Sequence, residues 1–146
     1  MEIVQAEQKD LPYIITHYKK GLEELGAENI KDSLILNKVV SGFHLAPCFL
    51  LKIDGIIRGI AGLTVVHSSH SGDAMLSEYM FYVEPEYRSL KHLSALVNAC
   101  KDFADEHNFL LRFEFVNQVD IRIRERLFKM HNFQIKSVIG EYDGRR

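Results

Sequence analysis

The chain has 146 residues, 47% of them hydrophobic, and a formal net charge of −2 at neutral pH. A length of roughly 100 to 150 residues is typical of one domain with its own core, so we expect a single domain over residues 1–146. The near-neutral charge provides no electrostatic basis for binding nucleic acid or an anionic membrane, which excludes both as predicted partners.

The N-terminal stretch "EIVQAEQKDLPY" contains neither a basic leader nor a long apolar run, so it predicts no signal peptide and no membrane span. We therefore expect a cytoplasmic protein. Cys48 and Cys100 lie in apolar segments without metal-ligand spacing, which is typical of reduced, buried thiols. His67 and His70 in "HSSH" lack the further ligands of a complete metal site, so no metal is expected.

The first half of the chain predicts a strand, two helices and a hairpin. "EIVQA" has strand character, and apolar residues then recur at helical spacing from Leu11 to Leu25, ahead of Gly26. A weaker helical pattern covers residues 31–41. The segments "CFLLKI" and "IIRGIAGLTVV" flank the turn pair Asp54-Gly55, which is typical of a tight antiparallel hairpin.

The second half predicts a strand, a long helix and then a further strand, helix and strand. "AMLSEYMFYV" follows a polar loop, and after Pro85 the apolar period becomes helical up to His107-Asn108. "FLLRFEFV", a helix over residues 119–130 and "FQIKSVIGEY" complete the chain. The order β-α-α-β-β-β-α-β-α-β predicts an α/β fold with a mixed, mostly antiparallel sheet of six to seven strands. Its fourth and fifth strands flank a crossover helix and should be parallel.

Two segments resemble signatures of the GNAT superfamily of acetyl-CoA-dependent N-acyltransferases. "YVEPEYRSLKHLSALVNACKDFADEHNF" resembles the pattern V-x-P-x-(Y/F)-(Q/R)-x-x-G-x-(G/A) followed by a Leu-rich helix. "FEFVNQVDIRIRERLFKMHNF" is similar to a second signature, in which a strand ends in Asn and a helix ends in Y-E-K-x-G-F. Two matches in the right order are more specific than either alone. The resemblance implies helices on both faces of the sheet, acetyl-CoA or CoA as co-substrate, and a primary amine as acceptor.

The start of the long helix suits a pyrophosphate, because unpaired amides and a partial positive charge lie there. The resemblance implies that the pantetheine arm lies where the fourth and fifth strands splay apart, against Phe81, Tyr82 and Val83. Asn117 and Phe128 would contact CoA further along the chain. The residues implied for the pyrophosphate are Arg88, Ser89, Leu90, Lys91, His92 and Leu93.

Glu78 is the predicted catalytic base, because "SEYMFYV" resembles family members whose catalytic Glu lies in this strand. Its apolar neighbours should raise the pKa of the carboxyl group. The alternative is a solvent-facing Glu78, since simple alternation places Glu78, Met80 and Tyr82 on one face. A backbone amide near Tyr82 or Val83 would bind the thioester oxygen, and Glu114 is a reserve acid.

Three departures from the family pattern define an alternative function. Lys91 and Leu93 replace small residues of the phosphate loop, and Phe128 replaces the Tyr that often protonates the thiolate. The proton source is then water, Tyr82 or His131. The alternative is a catalytically impaired GNAT-fold protein that acts as a CoA-binding or protein-interaction module. The apolar last strand makes a homodimer possible.

Overall fold

The computed structural model describes residues 1–114 and 121–136. The four helices are α1 (Leu11–Glu24), α2 (Asp32–Leu45), α3 (Leu90–Glu106) and α4 (Ile121–Met130). Short 3-10 turns at Gln8–Asp10 and Pro85–Tyr87 precede α1 and α3. The five strands are β1 (Glu2–Gln5), β2 (Cys48–Ile53), β3 (Ile56–His67), β4 (Ala74–Val83) and β5 (Leu111–Arg112).

The strands form one sheet in the order β1-β2-β3-β4-β5, antiparallel except for the parallel pair β4 and β5. Asp54 and Gly55 form the β2–β3 turn with φ of 52° and 76°, the left-handed conformations that a two-residue hairpin requires. The predicted fold class is confirmed. The described residues contain five strands rather than six or seven, because residues 133–136 form no strand; residues 137–142 of the predicted last strand lie outside the described residues.

Helices cover both faces of the sheet, as the fold class predicts. Leu93, Leu96 and Val97 of α3 pack with Leu127 of α4 against one face. Ile14 of α1 and the α2 residues Ile35 and Val39 pack against the other. No helix within residues 1–114 and 121–136 has the length and apolar character needed to cross a bilayer.

A β-bulge in β4 decides which side chains share a face near the sheet's parallel edge. Leu63 pairs with Glu78 while the adjacent Gly62 pairs with Met80, so Tyr79 is an extra residue in β4. As a result Tyr79 and Met80 both pack on the side of α1 and α2. The prediction that Glu78 and Met80 share a face is therefore wrong, because the extra residue shifts the alternation by one position.

The β4–β5 ladder is short within residues 1–114 and 121–136, where it contains only the pairs Leu76 with Leu111 and Ser77 with Arg112. Two residues later the amide of Glu114 donates to the Glu78 side chain, Oε2, at 3.1 Å instead of to a backbone carbonyl of β4. The predicted strand over residues 109–116 is therefore shorter within its described part, since a carboxylate takes the place of the next ladder acceptor.

Leu93→Ala tests the assignment of Leu93 to the core rather than to a phosphate surface. The Leu93 side chain is fully buried, so truncation should lower the free energy of unfolding by about 2–5 kcal/mol. The measurement is urea unfolding followed by circular dichroism. Lys91→Ala, at an exposed position of the same helical turn, is the matched control and should change stability by no more than about 0.5 kcal/mol. Equal effects of the two substitutions would contradict the assignment.

Candidate functional site

The candidate site lies at the edge of β4, beyond the residues that pair with β5. In the part of the chain that the structure describes, β5 pairs with Leu76 and Ser77 and with no later residue of β4. The Phe81 and Phe113 rings pack edge to face across this edge, with centroids 5.5 Å apart. Phe81, Tyr82 and Val83, the residues predicted to bind the pantetheine arm, thus lie on the part of β4 beyond the ladder.

Glu78 lies at the point of separation and is buried, with 3% of its surface exposed. Its Oε2 accepts the Glu114 amide at 3.1 Å. The alternative that Glu78 faces solvent is therefore wrong. A buried carboxylate held at a strand junction is far better positioned for proton chemistry than an exposed one, since its orientation is fixed before a ligand arrives.

A cavity of about 300 Å³ adjoins Glu78 on the side of α1 and α2. Its walls combine apolar and aromatic side chains with two carboxylates and one ammonium group. The lining residues are Tyr18, Leu22, Leu25, Lys38, Glu78, Tyr79, Met80 and Glu114.

The start of α3 presents backbone amides without steric obstruction from Leu93. Ser89 caps the helix by accepting the His92 amide on Oγ at 3.2 Å, and the His92 ring donates from Nδ1 to the Tyr87 carbonyl at 2.7 Å. The Leu93 side chain points into the core, and Lys91 is exposed. The first amides of a helix have no acceptor within it, so those of Leu90 and Lys91 remain available as donors.

Arg88 does not extend toward these amides. Its Nε donates to the Val83 carbonyl at 2.7 Å, and its Nη2 donates to both carboxylate oxygens of Glu24, at 2.7 and 2.6 Å. The guanidinium also lies 5.4 Å from the centroid of Tyr82. Burial, reinforced by the nearby charge of Glu24, raises the pKa of Tyr82 to about 12. The structure therefore ties the predicted phosphate-binding arginine to the last turn of α1.

A second charged cluster lies next to this pair. Glu84 accepts hydrogen bonds from Arg58 at 2.9 Å and from Lys20 at 3.3 Å, and His17 Nε2 lies 3.6 Å from Glu84 Oε1. Partial burial acts to raise the pKa of Glu84, but the hydrogen bonds from Arg58 and Lys20 outweigh it and lower the pKa. Sequence reasoning missed both clusters, because Glu24 with Arg88, and Lys20 with Glu84, are each 64 positions apart and form no local pattern.

The remaining predicted residues are dispersed. Phe128 packs against Phe133, with ring centroids 5.5 Å apart. His131, a candidate proton source, is buried, and its Nε2 lies 2.7 Å from Ser94 Oγ between α4 and α3. Asn117 lies outside the described residues. His67 and His70 are exposed, and within the described ranges no three residues of metal-binding type form a group.

The model of the acetyltransferase (GNAT) family matches residues 12–132. This chain belongs to the GNAT family. A comparison with curated proteins gave no match for this GNAT protein.

Solved structures share the GNAT fold over nearly the whole chain. A predicted acetyltransferase with acetyl-CoA from Clostridium acetobutylicum is similar, with 17% identity and a TM-score of 0.74 over 97% of this chain and 95% of that one. AAC(6')-Iy, in complex with the bisubstrate analogue CoA-S-monomethyl-acetylneamine, has 14% identity and a TM-score of 0.74 over 99% and 98%. A ribosomal-protein-alanine N-acetyltransferase from Brucella melitensis has 15% identity and a TM-score of 0.68 over 100% of both chains. At such identities the likeness concerns the fold alone.

The free energy of unfolding should decrease as the pH falls from 6.5 to 5. Burial lowers the pKa of His17 below its usual 6.5, against the opposing hydrogen bond to Tyr13, and burial also lowers the pKa of His131. A lowered folded-state pKa means that the unfolded chain binds the proton more readily than the folded protein. The free energy of unfolding is therefore unaffected by these histidines above pH 6.5 and decreases as the pH falls below that value. Glu84, whose usual pKa is 4.5, acts only at lower pH.

Urea unfolding at intervals of half a pH unit measures this decrease. His17→Gln and His131→Gln should each give a shallower decrease than the wild type, whatever their stability at pH 7. A free energy of unfolding that rises toward pH 5 would contradict the predicted direction. A pH dependence unchanged in both variants would contradict its assignment to these histidines.

Proposed function

We propose that this protein transfers the acetyl group of acetyl-CoA directly to a primary amine, within one domain spanning residues 1–146. The observation that carries the proposal is the buried Glu78 carboxylate, which lies at the separation of β4 and β5 and lines the adjoining cavity. A cofactor arm along the outer part of β4 and an amine in the cavity would meet at this carboxylate.

Cofactor binding is supported by the donors that the α3 start presents. The amides of Leu90 and Lys91 would hold the pyrophosphate, and Lys91 is an exposed ammonium on the same turn. The Arg88 guanidinium is already engaged by Val83 and Glu24. Lys91 is therefore the cation we expect to contribute most. Acetyl-CoA, when bound, would supply a thioester whose carbonyl carbon is open to attack.

The reaction requires a neutral amine, which the Glu78 carboxylate would provide by accepting a proton. The amine nitrogen attacks the thioester carbonyl carbon, a backbone amide near Tyr82 or Val83 donates to the carbonyl oxygen, and the carbon–sulfur bond breaks. The nitrogen would then lose its second proton to water, and water would protonate the departing thiolate, because the Phe128 ring carries no proton to give, His131 is buried against Ser94 and the pKa of Tyr82 is raised to about 12. Burial raises the pKa of both Cys48 and Cys100, so neither supports a covalent intermediate.

A second candidate is a CoA-binding module without catalysis. Two observations favour it: Phe128 packs on Phe133 in place of a proton donor, and the Arg88 guanidinium is already engaged by Glu24 and Val83. Both candidates bind the cofactor, and turnover separates them.

Acetyl-CoA and CoA should raise the melting temperature of the protein. A ligand at 100 times its Kd adds about 2.7 kcal/mol to the free energy of unfolding, and differential scanning fluorimetry detects that gain. Pantetheine, which lacks the pyrophosphate, should bind more weakly than CoA. Lys91→Ala should reduce the ratio of CoA affinity to pantetheine affinity, because only CoA offers a pyrophosphate to the Lys91 ammonium. Absence of any shift at millimolar acetyl-CoA would overturn both candidate functions.

Glu78→Gln should reduce kcat by about 10²-fold or more, the usual contribution of a positioned base, while leaving the acetyl-CoA thermal shift in place. Glutamine still offers an oxygen to the Glu114 amide, so the strand junction is retained. Release of CoA thiol, followed with a chromogenic disulfide, measures the rate. Glu106→Gln is the matched control, because it makes the same change at an exposed carboxylate outside the cavity lining. Equal turnover of Glu78→Gln and wild type would remove Glu78 from the role of base.

A further inference from the structure

The cavity beside Glu78 is small. Its volume of about 300 Å³ lies at the lower limit of the roughly 300 to 1,000 Å³ typical of small-molecule sites. It is bounded by α1 and α2 on one side and by β4 on the other. A cavity of this size favours a compact acceptor over a multi-ring one.

The wall facing Glu78 is apolar and aromatic. Tyr18 and Leu22 of α1, with Leu25 just beyond it, contribute ring and methyl surface, and Met80 of β4 contributes its thioether. The Tyr18 and Tyr79 rings pack edge to face with centroids 6.2 Å apart, which fixes the aromatic part of the wall. Such a surface gains free energy by covering hydrocarbon and loses it by desolvating a second charged or hydroxylated group.

The charges of the cavity are asymmetric. The carboxylates Glu78 and Glu114 come from the β4–β5 edge, and the one ammonium in the described lining, Lys38, comes from α2. Lys38 Nζ lies 5.9 Å from the Tyr18 ring centroid, on the apolar wall. A single positive charge fits beside the carboxylates, whereas a second one carried along the apolar wall would approach Lys38 and be repelled.

We propose that the acceptor is a small monoamine with an apolar alkyl or aryl body, and that Lys38 discriminates against acceptors carrying a second positive charge. This inference rests on the proposed function and narrows its substrate class. The amine lies toward Glu78, the hydrocarbon covers the wall of Tyr18, Leu22 and Met80, and the far end bears no cation. Polyamines and aminoglycosides are disfavoured by charge, and the latter also by size.

Matched pairs of amines test the discrimination. The n-alkylamines from butyl to octyl are compared with the α,ω-diamines of the same lengths, so that each pair differs in one terminal ammonium. At saturating acetyl-CoA we expect kcat/KM to be about threefold to tenfold higher for the monoamine of each pair. Phenethylamine should be accepted as well, and kanamycin should be the poorest acceptor.

Lys38→Glu should reverse the preference, so that diamines become the better acceptors by a similar factor. Lys38 is exposed, so the substitution leaves the core intact. Lys31→Glu is the matched control, because it makes the same charge change at the start of the same helix outside the cavity lining and should keep the wild-type ratio. A reversal with Lys38→Glu alone supports the proposal; equal ratios in wild type and Lys38→Glu overturn it.

Calorimetric binding of the same pairs to the CoA-saturated protein separates this inference from the proposed function. If monoamines bind preferentially but are not acetylated, the enzyme function fails and the ligand class stands. If acetylation occurs with diamines as good as or better than monoamines, the proposed function stands and this inference fails. If no amine binds and none is acetylated, both fail.

Discussion

A carboxylate replaces a backbone carbonyl at the edge of this sheet, and the site depends on that exchange. The Glu78 side chain accepts the Glu114 amide, and among residues 1–114 and 121–136 the parallel ladder has two pairs, so the outer part of β4 has no partner there on that edge. The same contact holds a buried acid at the point where the strands separate. In the proposed function, the strand edge for the cofactor and the fixed group for proton transfer would thus have one cause.

The bulge at Tyr79 determines which side chains of β4 lie on each face of the sheet. It sends Tyr79 and Met80 together toward α1 and α2, where both line the cavity, while Leu76 and Phe81 stay in the core under α3. The absence of a side chain at Gly62 makes room for this: an added Cβ would lie 2.4 Å from the end of Met80 and 3.0 Å from the Tyr79 ring. The lack of a side chain at Gly62 therefore helps to shape the cavity on the same face of the sheet.

Local pattern was enough to predict the four helices, the first five strands and their order, but neither a sixth strand over residues 133–136 nor the contacts between distant segments. Three features could be predicted because each depends on spacing within a few residues or on chain order. They are the hairpin at Asp54-Gly55, the long helix with its left-handed Asn108 and the parallel strand pair. The face of Glu78 could not be predicted, since a bulge has no reliable signature in one sequence. The pairing of Arg88 with Glu24 could not be predicted either, because no local sequence pattern indicates a contact between residues 64 positions apart.

The contact between Arg88 and Glu24 connects the end of α1 with the segment that precedes α3. Glu24 ends α1, the helix that supplies Tyr18 and Leu22 to the cavity, whereas Arg88 precedes the amides of α3. A diphosphate that drew this guanidinium away from Glu24 would remove a contact that holds the end of α1. In the proposed function, occupancy of the phosphate site would be coupled to the position of α1, and by thermodynamic reciprocity the coupling would be equal in both directions.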